Sequence, residues 1–300
     1  AIMDIAGENP KVAAVTAAMS DGTGLDEFHK AYPDRFFDVG MAEQHAITFA
    51  AGLAKGGLTP IVAVYSTFMQ RAYDQIVHDV CLQNLHVVLC LDRAGIVGED
   101  GPTHHGLFDI PYLRHMPNIT IMAPKDQSEL KAMLKFAVDE CKGPVAIRYP
   151  RGKIVAPPVL EATAPISCGK AEVMSKEGEL AILAVGSMVW PAAAAAGLLF
   201  NEGIRSSLIN VRFIKPLDEE LLKNLASKTN RFVVVEEGVL EGGFGSAVME
   251  FLEREKIDDI SVKRIGLPSK FIEHGKKSEL LKNYGLDAQG IAAEIKKWRR

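Results

Sequence analysis

Short apolar runs alternate with amphipathic segments along most of the chain. In the first half, continuous apolar runs predict six strands, at 12–16, 36–39, 60–64, 86–91, 119–122 and 145–148. Between them, helical spacing of apolar residues predicts helices at 25–31, 43–55, 66–79 and 127–141. The run at 86–91 is continuously apolar, which is typical of a strand buried on both faces of a parallel sheet, and the short strand at 36–39 is also predicted to be buried. Strand–helix alternation of this kind predicts a doubly wound α/β domain.

Two of these helices begin with capping signals. Ser66 and Thr67 precede the helix after the third strand, with Gln70 placed to complete a capping box. Asp126 precedes the helix after the fifth strand, with Glu129 three residues further on. These capping side chains are predicted to bond the free backbone N–H groups of their helices.

The second half repeats the alternation after a proline-rich stretch. Strands are predicted at 180–185, 206–211, 232–236 and 261–265, and helices at 190–201, 218–226, 245–255 and 288–298. The stretch KIVAPPVLEATAPIS reads as an extended connection. We therefore expect two doubly wound α/β domains with mainly parallel sheets, residues 1–152 and 171–300, joined by a linker at 153–170.

Composition and charge narrow the possible functions. A net charge of −4 over 300 residues argues against a general nucleic-acid binder, which needs a basic face. No apolar run reaches membrane-spanning length. Four cysteines lack metal-binding spacing, so we expect buried, reduced thiols and a cytoplasmic location.

Polar and aromatic residues follow several predicted strands, where open parallel sheets bind ligands. The candidates at these ends are Glu43, Tyr65, Phe68, Arg71, Arg93, Asp100, His104, His105, Asp109, Arg148 and Arg151. Taken singly, Glu43 reads as a helix-start residue, Phe68 as core and Arg71 as a solvated cation. The glycine-bearing loop at 95–109 is too long for a simple connection, which favours a functional interpretation.

A metal site is the alternative for that loop. Asp100, His104, His105 and Asp109 are all possible ligands. Adjacent histidines in a flexible loop rarely point at one ion, however, and no H-x-x-x-H or H-E-x-x-H spacing is present. We therefore predict no metal site in this chain.

Ten segments together carry a family resemblance. In the first half they are MAEQHAITFAAGLA, YSTFMQRAYDQIVHDV, DRAGIVGEDGPTHHGLFD, APKDQSEL and RYPRG; in the second, INVRFIKPLD, VVVEEG, GGFGSAV, LPSKFIEHG and GLDAQGIAAEI. They resemble the 1-deoxy-D-xylulose-5-phosphate synthase family, thiamin-diphosphate enzymes related to transketolase, over nearly the whole chain. Transketolases and 2-oxoacid dehydrogenase β subunits match these motifs only loosely.

The resemblance implies a reaction and a role for each site residue. The reaction is decarboxylation of pyruvate and carboligation to glyceraldehyde 3-phosphate, a step towards isoprenoids and thiamin. Glu43 would bond the pyrimidine of thiamin diphosphate, with Phe68 and Ile96 against the cofactor. Asp100 and His104 would handle protons. Substrate contacts would come from Tyr65, Arg71, Arg93, Asp100, His104 and Arg151, with Arg71 and Arg151 on the phosphate.

One part of the family's site is not found in the sequence. The diphosphate and its Mg²⁺ are held in this family by an N-terminal domain with a G-D-G…N signature, which neither SDGTG nor GEDGP matches. We therefore expect the C-terminal portion of such an enzyme, whether truncated, cleaved or naturally split, inactive without the N-terminal domain, and homodimeric. Without that covering domain, the loop at 95–109 is expected to be mobile. The GGFG segment reads as a tight turn, with phosphate binding as the alternative.

Two other functions stay open. The chain also suits one half of a split transketolase-like or 2-oxoacid dehydrogenase enzyme. A non-catalytic assembly module that retains the motifs is the third possibility.

Overall fold

Seven strands form one sheet and five form a second in the computed structural model, which describes residues 1–152, 164–176 and 178–299. The strands are β1 Val12–Thr16, β2 Phe36–Asp38, β3 Thr59–Tyr65, β4 Val88–Asp92, β5 Thr120–Met122, β6 Val145–Arg148, β7 Glu172–Ser175, β8 Leu180–Ala184, β9 Ser206–Asn210, β10 Phe213–Lys215, β11 Arg231–Val239 and β12 Ser261–Leu267. The α-helices are Ile2–Glu8, Asp26–Ala31, Glu43–Lys55, Ser66–Met69, Tyr73–Gln75, Asp109–Arg114, Gln127–Asp139, Val189–Asn201, Glu219–Ala226, Phe244–Arg254, Lys277–Asn283 and Ala288–Arg299. The two mainly parallel α/β units agree with the predicted fold class.

The first sheet has the strand order β10-β5-β6-β4-β3-β1-β2, and all neighbours except β10 and β5 are parallel. The carboxyl ends of β6, β4, β3 and β1 therefore lie side by side along one edge. β2 was predicted to be buried, but its residues are half-buried or exposed because it is the edge strand and pairs only with β1.

The second sheet has the order β12-β11-β8-β9-β7, with β7 antiparallel at one edge. The chain leaves β8 for β9 on one side and then returns to β11 on the other side. The connections therefore diverge between β8 and β11, which creates a crevice beyond their carboxyl ends.

One strand of the second half belongs to the first sheet. β10, from Phe213 to Lys215, pairs antiparallel with β5. Next to it, Glu129 is fully buried and accepts hydrogen bonds from the Nε of Arg212 at 2.7 Å and the side-chain amide of Asn210 at 2.9 Å. Shared backbone pairing and a buried ionic contact thus join the two halves.

The helix predicted at 66–79 is broken. An α-helical turn at Ser66–Met69 leads through a 3₁₀ turn at Gln70–Ala72 into a π-helical segment at Ile76–Cys81. The predicted capping box is wrong, because Ser66 Oγ is buried without a hydrogen-bond partner and Thr67 Oγ1 donates to the carbonyl of Thr103. At the other predicted cap, Asp126 accepts the backbone N–H of Glu129 at 2.9 Å, as expected.

The cysteines are free thiols. Burial raises the pKa of Cys81 to about 11 and that of Cys90 to about 12, so both are neutral at pH 7. Cys168 is exposed, which contradicts the expectation that all four are buried. Among the described helices, none has the length and apolar character needed to cross a membrane. Most of the predicted linker, residues 153–163, lies outside the described residues.

Candidate active site at the strand ends of the first sheet

Glu43 is a buried carboxylate at the start of a helix. It is the first residue of Glu43–Lys55, where the helix dipole favours an anion, and its side chain is only 4% exposed. The Nη1 atom of Arg71 donates a hydrogen bond to its Oε1 at 2.7 Å. The preceding turn is fixed by Asp38, whose carboxylate accepts the backbone N–H groups of Ala18 and Gly40. The carboxylate is therefore held inside the protein surface and faces the segment after β3.

A row of aromatic rings continues from Arg71. Its guanidinium carbon lies 4.7 Å from the ring centre of Phe68. Phe68 stacks on Tyr65, with ring centres 5.8 Å apart and planes 23° apart. The imidazole of His104 packs edge-on against Phe68, with the two ring centres 5.3 Å apart. We call Glu43, Arg71, Phe68, Tyr65 and His104 the site row.

The broken helix explains how the site row forms. Tyr65 ends β3, so its ring stands at the sheet edge where ligands bind. The switch from α-helix to 3₁₀-helix at Gln70 changes the direction of the side chains that follow. Phe68 precedes this change and Arg71 follows it, and the guanidinium of Arg71 contacts both the ring of Phe68 and the carboxylate of Glu43.

Arg93 extends the row into a neighbouring cleft. It has a positive φ of 60°, and its guanidinium carbon lies 3.6 Å from the ring centre of Tyr65. Its Nη1 donates to the carbonyl of Gly22 at 3.0 Å. Burial raises the pKa of Tyr65, although Arg93 opposes the shift. Burial likewise raises the pKa of Asp92 against the effect of Arg93.

The turn after β1 is part of the site and was not predicted to be. A Cβ atom at Gly22 would lie 1.7 Å from the hydroxyl oxygen of Tyr65, so only glycine permits this approach. Met19 in the same turn accepts the backbone N–H of Tyr65 through its sulfur at 3.4 Å. The signal in the sequence is the position of SDGTG, which follows the end of β1, and β1 pairs with β3.

Arg93 and Arg151 line one cleft of about 570 Å³. Its other lining residues are Gly22, Thr23, Asp92, Gln127, Leu130, Tyr149, Pro150 and Gly152. Arg151 pairs with Asp100 at 2.5 Å, and both side chains are partly exposed. Arg71 is not among the residues that line this cleft and is paired with Glu43 instead.

The loop at 95–109 separates into residues that face the site and residues that hold it in place. Inside it, His105 accepts the backbone N–H of Val97 at its Nδ1, and its Nε2 donates to the carbonyl of Glu273. Burial lowers the pKa of His105. At the end of the loop, Asp109 is buried and bonded to the Nε of Arg148 at 2.8 Å. Asp100 and His104 remain the accessible members, while Ile96, which was expected against the cofactor, is fully buried in the hydrophobic core of the second domain.

Two alternative binding sites find no support in these contacts. His105 bonds the backbone of Val97 and Glu273, and Asp109 bonds Arg148. Within the described residues, no set of three or more His, Cys, Asp or Glu side chains is arranged to hold a metal ion. In the GGFG segment, the backbone N–H groups of Phe244 and Gly245 are taken by the carboxylate of Glu236, at 2.7 and 2.9 Å. That segment is a capped helix start, as the tight-turn interpretation predicted.

Two family models match the chain in succession. Residues 1–155 match the transketolase pyrimidine-binding domain, and residues 169–291 match the transketolase C-terminal domain.

Named relatives of known sequence share more than half of their aligned residues with this chain. It is 55% identical over 295 residues to the 1-deoxy-D-xylulose-5-phosphate synthase of Syntrophus aciditrophicus, which covers 98% of this chain and 45% of that protein. It is 53% identical to synthase 1 of Geobacter sulfurreducens, over 97% of this chain and 46% of that protein. The chain thus spans about half the length of these curated relatives.

Solved structures show the same arrangement of domains. One described as a split-gene transketolase, inactive beta4 tetramer, superposes with a TM-score of 0.87 at 34% identity, over 99% of this chain and 94% of that one. Transketolase from Campylobacter jejuni superposes with a TM-score of 0.79 at 19% identity, over 98% of this chain and 45% of that one. The second likeness concerns the fold alone.

Proposed function

The chain belongs to the transketolase family, and from that premise we propose that it forms the pyrimidine-binding and C-terminal portion of a 1-deoxy-D-xylulose-5-phosphate synthase. The proposed reaction decarboxylates pyruvate and joins the remaining two-carbon unit to glyceraldehyde 3-phosphate. Bound thiamin diphosphate supplies the nucleophilic carbon and the electron sink for this chemistry.

The observation that carries the proposal is the environment of Glu43. A carboxylate with 4% of its side chain exposed stands beside the ring of Phe68, with Arg71 between them. An anion in a desolvated site suits the basic ring nitrogen of an aminopyrimidine, and an aromatic face suits its plane. The residues present therefore fit the pyrimidine half of the cofactor.

Glu43 would hold a proton at that ring nitrogen. A positioned acid–base group of this kind contributes roughly 10²–10⁴-fold to a rate. His104 is the second candidate for proton transfer. Its Nδ1 is engaged by the hydroxyl of Thr103 at 2.9 Å, which leaves Nε2 as the ring atom available to a substrate.

The phosphate of the aldehyde substrate is assigned to Arg93 and Arg151. These two guanidinium groups line the same cleft, and arginine matches phosphate geometry through paired N–H donors. Arg71, which the family resemblance had placed on the phosphate, bonds Glu43 and is assigned to orienting that carboxylate. Tyr65 is the member of the site row that contacts Arg93, and it would contact both substrates.

The diphosphate and Mg²⁺ would be bound by a segment equivalent to the other half of the relatives, on the same polypeptide or on a separate one. The share of 45–46% of the relatives' length supports this division. We expect no turnover from residues 1–300 without that segment, and we expect a homodimer.

A split transketolase is the second candidate. The observation that favours it is the coverage of 94% of a split-gene transketolase chain at 34% identity. Its donors would be ketose phosphates, whereas the synthase uses pyruvate. The two functions can therefore be separated by substrate.

The test combines this chain with the N-terminal half of the Syntrophus aciditrophicus relative, thiamin diphosphate and Mg²⁺. We expect CO₂ release from pyruvate that depends on glyceraldehyde 3-phosphate, and about a 100-fold loss or more in Glu43→Gln. Glu219→Gln is the matched control, because Glu219 also begins a helix and pairs with an arginine, Arg254 at 2.6 Å, but lies on the surface of the second domain.

Three outcomes would count against the proposal. Turnover of ketose phosphates in place of pyruvate would support the split transketolase. Equal activity of the Glu43→Gln variant and the wild type would remove Glu43 from the chemistry. Absence of activity with a cofactor-loaded N-terminal half would favour the non-catalytic assembly role.

A further inference from the structure

Glu237 is a buried carboxylate of the second domain that contacts the loop of the first. It is 1% exposed and lies in β11. Its Oε1 accepts the backbone N–H of Ile96 at 2.8 Å, and its Oε2 accepts the hydroxyl of Ser187 at 2.6 Å. The ammonium of Lys277 lies 3.4 Å from Oε1. Each oxygen of this carboxylate is therefore occupied by a donor.

The position of Glu237 in the second sheet is the one where α/β folds bind ligands. Ser187 follows β8, and Glu237 lies just beyond the part of β11 that pairs with β8. Both residues therefore lie at the crevice beyond the carboxyl ends of these two strands. The group that enters this crevice is the backbone of Gly95 and Ile96. The second domain therefore binds a loop of the first where a free-standing domain of this type would bind a small molecule.

The fit is close enough to require glycine. Gly95 has a φ of +82°, and a Cβ atom there would lie 2.4 Å from the carboxyl carbon of Glu237. No side chain can be accommodated without moving the carboxylate. The Glu237–Ile96 hydrogen bond therefore depends on glycine at position 95.

Further bonds from the second domain hold the rest of the loop. The backbone N–H of Val239, two residues after Glu237, donates to the carbonyl of Leu107 at 3.1 Å. The N–H of Gly275 donates to the carbonyl of Gly98 at 3.3 Å. The loop is therefore bonded to the second domain near its start, at Gly98 and near its end.

We propose that Glu237 is a positioning residue, which fixes the backbone of Ile96 and thereby the loop that carries Asp100, the partner of Arg151, and His104, a member of the site row. A carboxylate is suited to this task because a charged acceptor forms stronger hydrogen bonds to backbone amides than a neutral one does. The second domain then contributes to the site through this buried side chain together with the backbone bonds of Val239 and Gly275. The effect on cofactor binding rests on the proposed function, and the effect on the loop does not.

Amide hydrogen exchange in the isolated chain tests the effect on the loop. In Glu237→Ala, we expect the Ile96 amide to exchange about 10-fold faster or more, because it loses a charge-assisted bond. The amides of Phe244 and Gly245 should keep their wild-type rates. Glu236→Gln is the matched control, since Glu236 is the adjacent residue, is equally buried and bonds those two amides. This control should accelerate exchange at Phe244 or Gly245 and leave Ile96 unchanged.

Two results would overturn the positioning role. One is an Ile96 exchange rate in Glu237→Ala equal to that of the wild type. The other is equal acceleration at Ile96, Phe244 and Gly245, which would indicate opening of the whole domain. If Glu237→Ala fails to fold, Ser187→Ala removes one donor to the carboxylate while preserving its charge. That variant should accelerate exchange at Ile96 by about 3-fold to 10-fold, and an unchanged rate would also overturn the role.

The reconstituted enzyme tests the consequence for the site. In Glu237→Ala, the concentration of thiamin diphosphate that gives half-maximal activity should rise about 10-fold or more, and in Glu236→Gln it should not change. Glu237→Gln should preserve most of the affinity, because one amide oxygen still accepts from Ile96. Faster exchange at Ile96 with unaltered cofactor affinity would overturn the link to the site. If wild-type enzyme shows no turnover, the proposed function fails, and the exchange rates still decide the positioning role.

Discussion

The guanidinium of Arg71 lies between the carboxylate of Glu43 and the ring of Phe68, 2.7 Å from the first and 4.7 Å from the centre of the second. Arg71 is 53% exposed, whereas Glu43 is 4% exposed. The pair is therefore solvated on one side only. An exposed cation adds little to folding stability, so its main effect is expected on the direction of the carboxylate.

Arg71→Ala should lower the free energy of unfolding by less than about 1 kcal/mol. Activity of the reconstituted enzyme should fall about 10-fold to 100-fold, because Glu43 loses its charge-assisted hydrogen bond. Denaturant titration and steady-state turnover measure the two effects. Arg254→Ala is the control, since it removes the partner of Glu219 with a similar effect on stability and none on turnover. Full activity of Arg71→Ala would contradict the orienting role.

Arg93→Ala and Arg151→Ala should each reduce the preference for glyceraldehyde 3-phosphate over unphosphorylated glyceraldehyde by about 10-fold to 100-fold. The reason is that both guanidinium groups line the cleft assigned to the phosphate. The measurement is kcat/KM for the two aldehydes. Arg71→Ala should leave this preference unchanged, and a loss of preference in that variant would return Arg71 to the phosphate site.

The adjacent histidines should respond in opposite ways to replacement. His105→Ala leaves the backbone N–H of Val97 buried without a partner and should cost about 1–3 kcal/mol of unfolding free energy. His104→Ala should cost less than about 1 kcal/mol of unfolding free energy but lower turnover about 100-fold, since its ring packs against Phe68 in the site row. Unfolding and turnover of both variants check the assignment. Stability loss in His104→Ala with full turnover would reverse it.

Glu236 should make stability depend on pH. Burial raises its pKa from the ordinary 4.5 to about 7, against the effect of the two N–H donors. The folded chain then binds more protons than the unfolded chain between these values, so its free energy of unfolding falls as pH rises from about 4.5 to about 7. Glu236→Gln removes this titration.

Denaturant unfolding of wild type and Glu236→Gln at pH 5 and pH 8 measures the effect. The stability of the wild type relative to the variant should be greater at pH 5, by on the order of 3 kcal/mol. Burial lowers the pKa of His105, which favours the folded chain as pH rises, but this contribution is present in both proteins and cancels. A difference that is independent of pH would show that Glu236 keeps its charge throughout.

Local signals in the sequence were sufficient for much of the fold and for part of the site. The Glu43 helix, the Asp126 cap and most strands follow from periodicity and capping, which act over a few residues. Tyr65, Phe68 and Arg71 come together because they lie within seven positions after one strand end. Glu43 meets them because the helix it begins packs beside that segment.

Contacts between distant residues could not be predicted in this way. Ile96 and Glu237 are 141 positions apart, and nothing in either segment marks the other as a partner. Arg93 lines the cleft and Arg71 does not, because Arg71 follows a change of helix type at Gln70 and bonds Glu43. That change of helix type has no clear signature in the sequence. β10 is three residues long, too short for a periodic pattern to be recognised.

The pairing of β10 with β5 has a consequence for how the protein unfolds. Cutting the chain between its halves would remove Phe213–Lys215 from the first sheet and leave the N–H and C=O groups of β5 open to other strands. Neither half is then a self-sufficient folding unit, and heating the intact chain should produce one cooperative transition. Engineering either half alone requires a substitute for that three-residue strand.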